Sequence, residues 1–262
     1  MFINPFENIL LGNGAMKTAL VFAIIGVVLV GIAAGCISQT QETSTTSTTQ
    51  GQRGPPEGKG PIAISVGANG STSIDVQTLK DYIDSVPMSP LTDEEKQGIL
   101  WMREEEKLAR DVYLTLYEKW DLPIFNNIAK SEQTHMDTVK LLIDKYGLED
   151  PVIDEVGKFS NPELQELYNQ LVEKGSKSVE DALTVGAMIE ELDIVDLQKW
   201  ISKTDKQDII TVYENLMKGS RNHLRSFVSN LKNYGITYEP QYLSKEEYEE
   251  IINSPIETGD SG

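Results

Sequence analysis

Two histidines, His135 and His223, are all the imidazole in this chain of 262 residues, and neither sits in a loop or a tail. Each falls in a stretch whose apolar spacing reads as an amphipathic helix. His135 closes the run Glu132-Gln-Thr-His135. Helical residues three apart share a face, so Glu132 and His135 can grip one ion between them. On an earlier helical run Glu106 is followed by Ala109 and Tyr113-Leu114. A Glu on one helix and a Glu-x-x-His on the next can bring carboxylate and imidazole groups into a single bundle core. A lone Glu-x-x-His is often a chance surface pair, and the second histidine, on a further helix, is what gives this one weight.

The remaining composition narrows the chemistry. A formal charge of −18 and a pI near 4.5 exclude nucleic acid as a partner, because phosphate binding needs clustered Lys and Arg. Cys36 is the only cysteine, which rules out an internal disulfide and a cysteine-based zinc site. Any metal must be held by carboxylates and imidazoles.

The N-terminal residues are not domain material. Met16-Lys17 gives a positive start, residues 19–33 are apolar, and Ala34-Gly35-Cys36 is a small-residue exit, so residues 1–36 read as a secretory signal with Met16 the expected start of translation. Ala33-Ala34-Gly35-Cys36 resembles the lipobox of secreted lipoproteins, which implies lipidation at Cys36. An uncleaved anchor is the alternative, since the apolar run is near the lower end of the roughly 17 to 25 residues that span a bilayer. A freely secreted protein is a third. All three place the domain outside the cytoplasm, and the first two tie it to the membrane by a lipid or an N-terminal helix. Residues 37–61, rich in Ser, Thr and Gln and then in Gly and Pro, read as a disordered tether. Residues 62–90 form a small extension with a short strand over 62–66 and a helix over 75–86, to which no chemistry is assigned.

Residues 91–240 read as one helical domain. Thr92 and Glu95 form a capping box for a first helix running to about Trp120, with Leu100, Leu108, Val112 and Leu116 on one face. Within it, Arg103-Glu104-Glu105-Glu106-Lys107 is a charge run of the usually solvated kind. Consecutive helical residues point about 100° apart, so at least one carboxylate must approach the apolar side. Periodicity leaves Glu105 and Glu106 both open. The second helix spans Pro123 to Tyr146-Gly147, and the fourth runs from Asp205 to Tyr234 and holds Ser220-Arg-Asn-His223. The third, from Val179 to about Ile201, presents Glu190 and Glu191, one of which must lie near its apolar face. Between the second and third helices, a long connection containing a helical stretch from Pro162 to Lys174 suits a crossover. Residues 241–262 carry a second box, Ser244 to Glu247, opening a short helix.

Taken together, these residues resemble the ferritin-like di-iron carboxylate superfamily. Glu106, Ala109 and Tyr113-Leu114 are similar to its first-helix pattern, Glu132-Gln-Thr-His135 to its second, and Glu191-Leu-Asp193 to its third. Arg103 to Asp111, Ile189 to Leu197 and Gly219 to Phe227 resemble an uncharacterised prokaryotic ferritin-like family known as a domain of unknown function. The resemblance implies an all-α fold, an antiparallel four-helix bundle with one long crossover between the second and third helices. It implies two iron ions, with manganese the other metal the donors suit. Glu106 would be a terminal ligand, Glu132 a bridge, His135 and His223 one imidazole per metal, and Glu191 the third-helix ligand, with Glu105 and Glu190 as further candidates. Tyr113 would be a donor to a ligand, a radical relay, or an ordinary core tyrosine. Arg103 or Arg110 would offset excess carboxylate charge or lie at the surface. The departure is Ser220, which stands where the superfamily has a second Glu; Glu105, Glu190, Asp193 or water would fill the gap. The implied activity is oxidation of Fe(II) or reduction of dioxygen or peroxide, with electrons from another protein. A non-catalytic bundle that binds metal or presents an interaction surface is the alternative. Self-association into a homodimer is compatible with either.

Overall fold

The computed structural model describes residue 61, residues 64–67 and residues 71–258. The expected signal segment, Cys36 and, apart from residue 61, the expected tether lie outside the described residues. The described chain is mostly helical. It opens with an antiparallel hairpin, β1 (Ile64–Val66) and β2 (Thr72–Ile74), in which Ile64 pairs with Ile74 and Val66 with Thr72. Asp75 then accepts from the amides of Gln77 and Thr78 and starts α1 (Val76–Ser85), whose Leu79 and Ile83 are buried.

Local signals set the boundaries of the longer helices. Thr92 and Glu95 close the capping box that starts α2 (Asp93–Trp120), and Asp121, in the left-handed region at φ 50°, ends it. Pro123 begins α3 (Pro123–Tyr146), where the missing amide hydrogen costs nothing, and Gly147 ends it at φ 63°. Asn161 caps α4 (Pro162–Gly175), and Ser178 caps α5 (Val179–Ile201). α6 spans Gln207–Asn233, and a second capping box, Ser244 with Glu247, starts α7 (Lys245–Asn253). Among the described residues no helix is long and apolar enough to cross a membrane.

The four long helices close a ring: α2 packs on α3, α3 on α6, α6 on α5, and α5 on α2. Side-chain contacts fix their directions. Along α2 and α3, Glu106 meets His135 and Tyr113 meets Phe125; along α5 and α6, Asp193 meets Ser220 and Gly186 meets Phe227. Gly98 abuts Trp200 while Tyr113 reaches Glu190, and Lys145 pairs with Asp208 while Glu132 faces His223. Neighbours in the ring are therefore antiparallel, and α3 and α5 run the same way. The chain between them must travel the length of the ring, and does so through α4, which packs on α2 and α5.

Two apolar zones bracket a polar layer. At one end Ile99, Met102, Val139, Leu142, Leu197, Val212 and Leu216 pack with Leu79 and Ile83 of α1. At the other, the rings of Tyr113, Phe125 and Phe227 lie with centroids 5.3 to 6.1 Å apart. Along the four long helices, the residues between these zones include the buried Glu106, Glu132, His135, Glu190 and His223.

The charge run of α2 is not solvated; all five residues from Arg103 to Lys107 are buried. Three of them turn toward the crossover connection. Arg103 donates to the Met136 carbonyl at 2.7 Å and pairs with Asp150 at 2.9 Å. Glu104 accepts from the amides of Ser160 and Asn161, and Lys107 holds Asp111 at 2.5 Å and the carbonyls of Glu155 and Lys158. Neither arginine offsets charge at the Glu and His layer, since Arg110 is taken by Asp111 and Gln133.

Candidate metal centre

One carboxylate links both histidines. Glu132 Oε2 lies 2.8 Å from His135 Nδ1, and Glu132 Oε1 lies 2.9 Å from His223 Nδ1. Glu106 Oε2 stands 3.2 Å from His135 Nδ1, and Glu190 Oε2 stands 3.4 Å from His223 Nδ1. Two triads result, Glu106 with Glu132 and His135, and Glu132 with Glu190 and His223. Within each, one donor atom per residue lies within 4.8 Å of the others. The imidazoles stack with centroids 5.5 Å apart. Helical spacing accounts for this convergence: residues 132 and 135 share a face of α3, and α2, α5 and α6 each turn one donor inward at the same level. Gly219 makes room for it, because a Cβ there would lie 2.5 Å from His135 Nε2.

These groups are buried, and their polar atoms are not all partnered. No member of either triad is more than 2% exposed. Among the described residues, Glu106 Oε1, Glu132 Oε1, His135 Nε2, Asp193 Oδ1 and His223 Nδ1 are buried without a hydrogen-bond partner. Glu132 Oε1 and His223 Nδ1 are close to each other yet lack the alignment of a hydrogen bond. Buried polar groups are normally satisfied, so lone pairs converging at this distance fit a shared cation.

The electrostatics agree. Burial pushes Glu106 up to about 7 against the pull of His135. Burial, with the charge of Glu132, pushes Glu190 to about 7 against His223. Burial works to lower His223, but Glu132 and Glu190 raise it to about 9, and Glu132 and Glu106 hold His135 up in the same way. Burial opposes ionisation of Glu132 too, yet the two imidazoles keep its carboxyl well below the usual range. Asp193 is driven well up by burial and by Glu106 and Glu105. Burial and mutual repulsion thus disfavour ionising all of these carboxylates at once. Four carboxylates, Glu106, Glu132, Glu190 and Asp193, with two neutral imidazoles, would balance two divalent ions. Oxygen donors with one imidazole nitrogen per triad suit iron or manganese.

Of the two third-helix carboxylates, Glu190 lies in a triad and Glu191 lies in neither. One residue along a helix is a turn of about 100°, and this step carries Glu191 away from the triads. Its carboxylate accepts instead from the amides of Gln241, Tyr242 and Leu243, and so fixes the segment leading to α7. The same step separates Glu105 from Glu106: Glu105 accepts from Trp101 Nε1 at 2.9 Å and belongs to neither triad. Tyr113 donates to Glu190 Oε1 at 2.6 Å. At the position where the resemblance expects a second Glu, Ser220 donates to Asp193 Oδ2 across from α5. Sequence reasoning assigned nothing to Thr72, whose Oγ1 lies 2.8 Å from His223 Nε2. A single threonine in a three-residue strand carries no pattern that would have marked it.

Residues 95–255 match the family described as uncharacterized protein domain DUF2202. The chain belongs to this family. Its DUF2202 region contains every residue of both triads. The chain is similar to the uncharacterized protein MJ0754 of Methanocaldococcus jannaschii, 67% identical over 180 residues, which cover 68% of this chain and 97% of that protein. The crystal structure of the hypothetical protein MJ0754 from Methanococcus jannaschii DSM 2661 superposes with a TM-score of 0.65 at 67% identity. That match covers 66% of this chain and 99% of the other.

Proposed function

We propose that this DUF2202 protein is a ferritin-like bundle that binds a dinuclear metal centre, with iron as the metal, outside the cytoplasm and tethered to the membrane. The observation that carries the proposal is Glu132, whose two oxygens face one histidine Nδ1 each, with unpartnered buried atoms around them. The ring of antiparallel helices with α4 as a crossover supports the ferritin-like arrangement. Placement outside the cytoplasm rests on the signal-like residues 16–36.

Glu132 would bridge the two ions, Glu106 and His135 would complete one half, and Glu190 and His223 the other. Bound iron would supply one-electron chemistry toward Fe(II), dioxygen or peroxide. The protein's part is positional and electrostatic. Burial keeps Tyr113 protonated, so its phenol orients Glu190 Oε1 and leaves Oε2 toward His223. Glu106 and Glu190 release their protons as cations enter, and the two apolar zones keep water from the layer.

A second reading, a bundle that holds metal without turnover, draws on the near-complete burial of all five donors. Metal analysis after anaerobic loading with Fe(II) tests the shared premise. About two irons per chain are expected, and none in a His135→Ala/His223→Ala variant; an iron-free wild type would sink both readings. Dioxygen consumption by the loaded protein separates them, because a metal-holding bundle would show none above free Fe(II).

A further inference from the structure

The hairpin that precedes the DUF2202 region touches the candidate centre. β2 packs against α3 and α6, the two helices that carry the histidines. Thr72 is 4% exposed and anchored twice: its amide donates to Ser131 Oγ at 2.9 Å, next to Glu132, and its hydroxyl lies 2.8 Å from His223 Nε2. The register is set by the Ile64 and Ile74 pair, both buried, so the strand cannot slip without exposing an apolar face. On the other imidazole, His135 Nε2 is buried without a hydrogen-bond partner among the described residues. The two histidines therefore differ in what lies behind them.

We propose that Thr72 is a positioning residue for His223. In its neutral, metal-binding form the ring donates its Nε2 hydrogen to Thr72 Oγ1, which fixes the tautomer and leaves the Nδ1 lone pair on the side of Glu132 and Glu190. Outer partners of this kind orient a metal-binding histidine and raise its basicity. The centre is therefore asymmetric, with the His223 half pre-organised and binding its ion more tightly than the His135 half. A hairpin outside the family-matched residues thus forms part of the site. The inference rests on the dinuclear proposal, and its test separates the two.

The full chain is titrated with Co(II) alone, followed by visible absorption, beside Thr72→Val, Thr72→Ser, Ser131→Ala and His223→Ala. Wild type is expected to fill in two steps, and His223→Ala to identify the tighter one by removing it. Thr72→Val should weaken that step by about 10-fold or more, with the other unchanged, and Thr72→Ser should restore it. Ser131→Ala, which frees the strand without touching the hydroxyl, should weaken the same step less. Equal constants in Thr72→Val and wild type would overturn the inference, as would a serine variant as weak as the valine one. Nitrogen-15 spectra of the Zn(II)-loaded wild type test it without any variant: an Nε2-protonated His223 is expected, and an Nδ1-protonated one would overturn it. Wild type that binds no Co(II) would instead bring down the dinuclear proposal itself.

Discussion

Two clusters of buried charge lie within a few residues of each other on α2, and they are completed in opposite ways. In the first, Arg103, Glu104, Lys107 and Asp111 meet partners supplied by the chain: Asp150, the amides of Gly157, Ser160 and Asn161, and the carbonyls of Met136, Glu155 and Lys158. In the second, Glu106 joins Glu132, Glu190, Asp193 and two histidines, and five polar atoms stay unpartnered. Buried charge is tolerated where it is paired and costly where it is not. The first cluster is thus a structural lock on the crossover connection, complete within the protein. The second lacks such partners among the described residues, and this contrast marks it as the candidate metal site although members of both fall within one charge run of the sequence.

The lock is the more sensitive to loss of a partner. Lys107 is fully buried, so Lys107→Met strands Asp111 beside only Arg110 and the Gly157 amide. Loss of one member of a buried pair costs about 3 to 5 kcal/mol, and the surviving partners put this case near the lower figure. Urea denaturation should show that loss, and Lys107→Met/Asp111→Leu should regain most of it. A loss below about 1 kcal/mol would mean that the pair is not what holds the connection.

The site should respond in the opposite sense. Glu190 has its carboxyl raised from 4.5 to about 7 by burial and Glu132, so above pH 7 its charge weighs on the metal-free fold. Glu190→Gln should therefore stabilise the metal-free protein at pH 8, on the order of 2 kcal/mol, while abolishing the stabilisation that Fe(II) gives. At pH 4 the gain should vanish, because the carboxyl is protonated folded and unfolded alike. The wild type carries the same signature. Glu106 and Glu190 rise from 4.5 to about 7 and His223 from 6.5 to about 9. Each contributes stability that is complete below its unfolded value and lost as pH climbs through the folded one. Thermal melts of the metal-free chain should thus fall steadily from about pH 4.5 to pH 9, and metal should reverse the fall because it binds the deprotonated groups. A metal-free stability that rises over that window would contradict the assignment.

The helices were legible because their end signals are local. Thr92 with Glu95, Pro123 with Gly147, and Ser244 with Glu247 act within a few residues, and the observed ends fall at or beside them. Of the site, Glu132, His135 and His223 stood out by spacing and scarcity. The choices between Glu105 and Glu106, and between Glu190 and Glu191, were not legible. Each turns on a rotation of one residue, decided by distant groups: Trp101 takes Glu105, and the amides of residues 241–243 take Glu191. Burial of the charge run was hidden for a similar reason. Glu104 and Lys107 bond backbone groups of the irregular connection before α4, and these leave no trace in side-chain pattern.

The smallest expected effect sharpens the contrast most. Glu104 and Glu190 are both buried glutamates, and burial raises both. Glu104 spends one oxygen on two amide hydrogens, which a neutral carbonyl oxygen can accept as well. Glu104→Gln keeps that acceptor and removes a charge that burial disfavours, at the expense of a weak attraction to Lys107. The terms oppose, and the net change in stability should stay within about 1 kcal/mol, on the scale of one ordinary hydrogen bond. The same substitution at Glu190 removes a charge that the proposed cation needs. Paired melts of Glu104→Gln and Glu190→Gln, with and without Fe(II), should show a metal-induced shift that survives in the first and is lost in the second. Loss of the shift in both would mean that the two clusters act as one electrostatic unit.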